Sequence, residues 1–150
     1  MMLSCKQMAE KLTATARKAE NTLVVPTEEL LGELQIMAKG FIGYYQDGWA
    51  PLAPRTVEDK EKKGYAPPDN PLLRTGEMHD SITFEVEMPR FGIVEGILGS
   101  ESKVALEQEM GVVRPKGTLP PRPFLALAMA RSYVPAERLY GQFALKLLEL

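Results

Sequence analysis

Few side chains in this chain of 150 residues are suited to nucleophilic, acid–base or soft-metal chemistry, with one cysteine and one histidine among them. His79 stands in the run Met78-His79-Asp80-Ser81, so an imidazole, a carboxylate and a hydroxyl follow one another. A hydrolytic triad needs such groups to converge in space beside an oxyanion site, and consecutive residues seldom supply that geometry. His79 therefore reads as solvated or capping, and a hydrolase using His79 and Asp80 is kept as a rival. Cys5 falls on the apolar stripe of an N-terminal helix, where a buried, inert thiol is expected. One His and one Cys cannot furnish the three or four N/S ligands of a zinc site. No GxxxxGK[ST] occurs, and no GxGxxG follows a strand. Glu85, Glu87, Glu107 and Glu109 are expected on solvated faces. From these residues no catalytic, cofactor or metal site is expected.

Charge gives a second lead. Arg55, Lys60, Lys62, Lys63 and Arg74 make one region locally basic. A solvated arm accounts for them, and contact with nucleic acid or an acidic partner is the sharper alternative. The whole chain has a formal net charge of −2, which argues against a protein built to grip phosphates. A single cysteine excludes an internal disulfide and points to a reducing compartment. Lys6, Glu10 and Lys11 interrupt the N-terminus before a signal-peptide core forms. No stretch approaches the ~18 apolar residues of a membrane span.

At 45% hydrophobic and 25% charged, the chain is globular, and its length suits one domain. A helix is expected over residues 4–23, with Cys5, Met8, Ala9, Leu12, Ala16, Ala19 and Leu23 on one stripe. Pro26 should end it, and Thr27 should cap a second helix from about Glu28 to Gln46. Gly32, Gly40 and Gly43 imply close packing or an earlier end near Gly40. Residues 47–80 read as an extended loop or arm, with one or two helical turns over Thr56–Lys63. Ser81–Met88 alternates cleanly, as a half-buried antiparallel strand does. Pro89 and Arg90 would turn it into a second strand, Phe91–Leu98, covered on both faces.

The stretch Val104–Leu125 organises the remainder. A short amphipathic segment, Val104–Met110, stops at Gly111, and a loop with Pro115 and Gly117 follows. Pro120, Pro121, Arg122 and Pro123 then stiffen the backbone ahead of Phe124. Pro123 suits the first turn of a helix. Phe124–Ala130 is apolar all round, as a buried helix is. Val134 and Pro135 should break it. A last helix, Ala136–Leu150, would carry Leu139, Tyr140, Phe143, Leu147 and Leu148 on one face. The expected fold is α+β, a small antiparallel sheet packed against several helices, in a single domain over 1–150. Its parts are N-terminal helices (1–46), the loop or arm (47–80), a β-hairpin (81–99) and C-terminal helices (100–150).

Certain residues follow one another in a familiar order. They are Gly48-Trp49-Ala50-Pro51-Leu52, Thr56, Lys60, Leu72-Leu73-Arg74-Thr75-Gly76-Glu77-Met78, Ser81-Ile82, Gln108-Glu109-Met110-Gly111 and Pro120-Pro121-Arg122-Pro123-Phe124-Leu125. This ordered set resembles the phage virion morphogenesis proteins, the tail-completion or head–tail joining proteins of long-tailed bacteriophages. The resemblance spans about 49–125. It implies a structural virion protein of the neck or tail top, not an enzyme, made in the host cytoplasm, commonly a six-fold ring. The implied partners are further copies, the tail tube or tail terminator protein, and the head connector or stopper protein. DNA would pass through the lumen without specific binding, and no membrane is involved. Trp49, Leu52, Arg74, Arg122 and Phe124 are the expected structural or interface residues. Arg122, aimed by flanking prolines, should tie its loop to a carboxylate or carbonyl.

Overall fold

The computed structural model describes residues 4–115 and 117–148, without the side chains of Leu12, Glu20, Asn21, Lys146, Leu147 and Leu148. Among the described residues ten elements follow in order, α1 (Cys5–Gly40), α2 (Pro54–Lys62), α3 (Glu77–Asp80), β1 (Ile82–Arg90), β2 (Ile93–Ser100), α4 (Lys103–Met110), β3 (Val112–Arg114), β4 (Gly117–Leu119), α5 (Phe124–Ala130) and α6 (Tyr133–Leu148). The fold is α+β, with two separate two-stranded sheets, β1–β2 and β3–β4. The chain divides into two compact units.

The first unit takes the described residues of Met1–Glu33, Phe84–Ile97 and Tyr133–Leu150. Its long helix corrects the expected break, because α1 runs through Pro26 without interruption. A helix-interior proline loses one hydrogen bond and costs about 3 kcal/mol in isolation. Here the site is buried, and Thr27 is only 7% exposed. Thr27 caps nothing. Its hydroxyl donates to the Leu23 carbonyl at 2.8 Å and accepts from the Tyr140 hydroxyl at 2.9 Å. An Arg138–Glu33 ion pair and buried Leu139 fasten α6 along α1. The pairs Thr27–Tyr140 and Glu33–Arg138 make the two helices antiparallel. Leu12, Leu147 and Leu148, expected on apolar faces, have side chains outside the described ones. Cys5 is exposed, as are the described side chains from Ser4 to Lys18. The expected buried thiol is thus corrected, because nothing described packs on that end of α1.

The β1–β2 hairpin turns at Phe91-Gly92, two residues beyond the expected turn, with Gly92 at φ 80°. Phe84 and Val86 are half-buried and Glu85 and Glu87 exposed, so the alternation of β1 is real. The expectation that β2 is covered on both faces fails, since Glu95 and Ile97 are exposed. Gly96 sits against α1, where an added Cβ would lie 2.7 Å from Leu31 Cδ1.

The second unit, Leu34–Thr83 and Leu98–Ser132, holds the main core. Ala38, Phe41, Ile42, Met78, Ile82, Ala105, Phe124 and Ala128 form it. The helix stops at Gly40, the earlier of the two expected ends, and no described group crowds Gly32 or Gly40. Gly43 is the constrained one. It has φ 94° and donates its N–H to the Pro71 carbonyl at 2.8 Å. Residues 47–80 are organised by α2 and α3 rather than extended throughout. In place of the expected loop with Pro115 and Gly117, β3 and β4 pair, Val112 with Leu119, Val113 with Thr118 and Arg114 with Gly117. Three-residue strands are too short to announce themselves by alternation. Pro123 is the N-cap residue of α5, one position before the expected first turn. Pro135 lies in the first turn of α6 and does not break it, a position where its missing N–H is harmless. Met129 is 52% exposed, so α5 is buried on one face only.

Phe124 is fully buried at the centre of the second unit's core. Phe124→Ala is expected to lower unfolding stability by about 3–5 kcal/mol in a urea titration, and an unchanged midpoint would show that the ring is not an anchor.

Candidate functional site

The backbone entering α5 has unusual needs. Pro120, Pro121 and Pro123 have no N–H, and none can cap a helix through its side chain. The remaining donors must find partners elsewhere. Arg122 N–H donates to the Gln108 carbonyl at 2.6 Å. Glu109, from the last turn of α4, takes the next three. Its Oε2 accepts from the N–H groups of Phe124 at 2.8 Å and Leu125 at 3.0 Å, and its Oε1 from Ala126 at 2.8 Å. A carboxylate from another helix thus caps α5, where the helix dipole also favours negative charge. This corrects the expectation of a solvated Glu109. The sequence signal for its role is α5 itself, an apolar helix whose approach holds no Ser, Thr, Asp or Asn.

Arg122 is the second tie. Only 2% exposed, it donates from Nη2 to the carbonyls of Ala50 at 2.9 Å and Pro51 at 3.3 Å. Nη1 approaches Gln108 Oε1 at 3.5 Å. Nε is buried without a partner among the described residues. Burial lowers the pKa of the guanidinium. Arginine stays charged under any such shift, so the carbonyl dipoles carry its solvation. Gly111 permits the two segments to touch. At φ 71°, an added Cβ would lie 2.9 Å from the Leu119 carbonyl oxygen and from Pro121.

The other expected residues lie around this junction. Trp49 is half-buried against the core. Leu52 gives its N–H to the Tyr45 hydroxyl at 3.0 Å, and that hydroxyl donates to Asp69 Oδ1 at 3.0 Å. Arg74 pairs with Asp59 at 2.6 Å and lies 5.6 Å from the Tyr65 ring centroid. Leu52 and Arg74 also share a cavity of about 410 Å³ with Lys60, Leu72, Met78 and Gln108. Leu72 adopts φ 62°, a left-handed conformation that costs a non-glycine residue on the order of 1–2 kcal/mol. Its contact with the core holds it there. Gly76, at φ 90°, leads into α3.

The basic stretch is largely committed to the fold. Lys60 is 3% exposed and donates to the Asn70 carbonyl at 2.7 Å. Burial, and secondarily the Arg74 charge, lower its pKa. Lys63 shares Asp59 with Arg74. A hydrogen bond from Lys63 is the main cause that lowers the Asp59 pKa. Arg55 and Lys62 remain exposed. His79 Nδ1 lies 2.9 Å from Asp80 Oδ1. The Ser81 hydroxyl turns elsewhere, to the Met78 carbonyl at 2.8 Å and to Ser100 Oγ at 2.7 Å. These three do not form a triad. Among the described residues, no group of three or more His, Cys, Asp or Glu is placed to hold a metal ion. Comparison of the chain with protein-family models, curated proteins and solved structures gave no match.

Glu109→Ala is expected to cost about 2 kcal/mol by removing the acceptor for three N–H groups, and Glu109→Gln less, as one oxygen survives. Gly111→Ala should destabilise comparably through its left-handed φ and the Cβ clash. Denaturant midpoints for both positions check this, and tolerance of alanine at both would discount the junction as a structural lock.

Proposed function

We propose that this chain is a structural virion protein of a bacteriophage neck or tail top. It completes the tail and joins it to the head connector as a ring of copies, hexameric in keeping with the resemblance. In this reading the tail tube or terminator protein lies on one side, the connector or stopper protein on the other, and DNA passes through the lumen unbound. The protein is made in the host cytoplasm and ends in the virion.

One observation carries the reading. Two segments of the resemblance, Gln108–Gly111 and Pro120–Leu125, meet and lock each other through Glu109 and Arg122. Leu72, Arg74 and Gly76, from another segment, hold a backbone turn, an ion pair and a helix start respectively. Residues committed in this way to holding shape suit an assembly component better than a catalyst. The alternative, a nucleic-acid-binding module using residues 55–74, loses support where Lys60 is buried and Arg74 and Lys63 share Asp59.

The test is electron microscopy of lysates from the phage or prophage carrying this gene, with an early stop codon introduced. Separate filled heads and loose or overlong tails are expected. Normal infectious particles would overturn the joining role, and a salt-dependent shift of DNA fragments by the purified chain would then favour the nucleic-acid reading.

A further inference from the structure

The second unit buries a cation that its fold leaves without a counter-charge. Lys60 is 3% exposed, and its ammonium donates to the Asn70 carbonyl at 2.7 Å. An ammonium carries three N–H groups, and one carbonyl serves one of them. Among the described residues no carboxylate forms an ion pair with it. Asp59 is taken by Lys63 and Arg74, and Glu58 and Glu61 are exposed. Asp69 accepts from the Tyr45 hydroxyl at 3.0 Å. Its charge favours the Lys60 ammonium less than burial and the Arg74 charge oppose it. Buried charges are ordinarily paired, because an unpaired one loses its hydration and gains nothing opposite.

Lys60 also lines the cavity of about 410 Å³, a volume in the range of small-ligand pockets. Thr56, four residues earlier on α2, lines it too, so a hydroxyl and the ammonium share one face of the helix. Leu72, Leu73 and Met78 supply apolar wall. Glu77 and Glu107 complete the charged part of the lining, and Glu107 is held by Arg114. The cavity thus offers one buried cation with donors to spare, an apolar surface, and two carboxylates that repel any surplus of negative charge.

We propose that this cavity binds a monocarboxylate with an apolar body. The carboxylate meets the Lys60 ammonium and the Thr56 hydroxyl, and the body lies against Leu72, Leu73 and Met78. Such a ligand supplies the counter-charge that Lys60 lacks and covers the apolar side chains that face the cavity. A dianion such as phosphate suits the site less, because Glu77 and Glu107 repel it. Contact with a carboxylate keeps the ammonium charged, whereas acylation of the same nitrogen needs its lone pair and room for a tetrahedral carbon. A free acid and the C-terminus of a polypeptide ending in an apolar residue share this chemistry. The lining belongs entirely to the second unit, so a single molecule suffices for binding and ring assembly is not required.

The test is isothermal titration calorimetry of the full chain with octanoate and, in a second arm, with the peptide acetyl-Gly-Ala-Leu bearing a free C-terminus. Octanamide and the peptide's C-terminal amide are the matched uncharged probes. At least one carboxylate should bind, and its amide should bind about tenfold or more weakly. Binding of octanoate alone assigns the site to a free acid, and of the peptide alone to a polypeptide end. Binding of both supports the carboxylate and apolar body that they share. Lys60→Met keeps the apolar stem, removes the charge, and should abolish the preference for acid over amide. Chemical-shift mapping on the wild-type chain decides the matter if that variant fails to fold. The largest amide shifts should fall within residues 52–60, 70–78 and 102–108, the segments that line the cavity. No binding by either carboxylate, equal binding of acid and amide, or shifts confined to other segments overturns the site.

Discussion

The backbone from Pro120 to Ala126 has only four N–H groups to satisfy, because three of its residues are prolines. All four are taken by Gln108 and Glu109, two adjacent residues at the end of one short helix. That accounting fixes much of the second unit. The Glu109 carboxylate sets where α5 begins, and with it the placement of Phe124 in the core. The backbone bond at Gln108 sets where Arg122 leaves the chain. Arg122 then fastens the Ala50–Pro51 backbone beside Trp49. An unpaired buried donor costs about 1–3 kcal/mol, so losing one carboxylate would be felt at several places together.

The β3–β4 hairpin explains why the two segments of that lock stand where they do. Gly111 and Pro120 flank it, and Val112 pairs with Leu119. The chain leaves α4, folds back over three residue pairs and returns to the residues it left. Lengthening the hairpin would preserve this geometry only if register were kept, since a one-residue slip turns every side chain over. The conformation at Gly111 is the other condition, because any side chain there meets Leu119 and Pro121.

Elements with strong periodicity are legible in the sequence. The alternation in β1, the α4 segment ending at Gly111 and the apolar run of α5 all lie close to their expected bounds. Arg122 is legible as a tie because proline on both sides leaves it little freedom. Three of the failures share a cause, which is stabilisation from residues beyond the local stretch. Pro26 does not end α1 because Tyr140 and α6 bury the site from far along the chain. Glu109 has the pattern of a surface charge, and only the folding of α5 against α4 brings three N–H groups to its carboxylate. Lys60 has the pattern of a solvated basic arm, and only the return of the chain brings the Asn70 carbonyl to its ammonium. Local propensity carries no information about any of these partners.

Lys60 gives the molecule a built-in reporter. Amine-acylating reagents need the side-chain nitrogen to be both uncharged and reachable. Burial favours the first condition and denies the second. Lys62 and Lys63, close by in sequence, are exposed, and Lys63 holds only a solvated ion pair. In the folded chain the neighbours take the label and Lys60 stays unmodified. Whenever α2 detaches from the Asn70 backbone, Lys60 becomes as reachable as they are. The ratio of label at these three positions, read by peptide mass spectrometry, therefore measures local opening of this segment separately from unfolding of the whole.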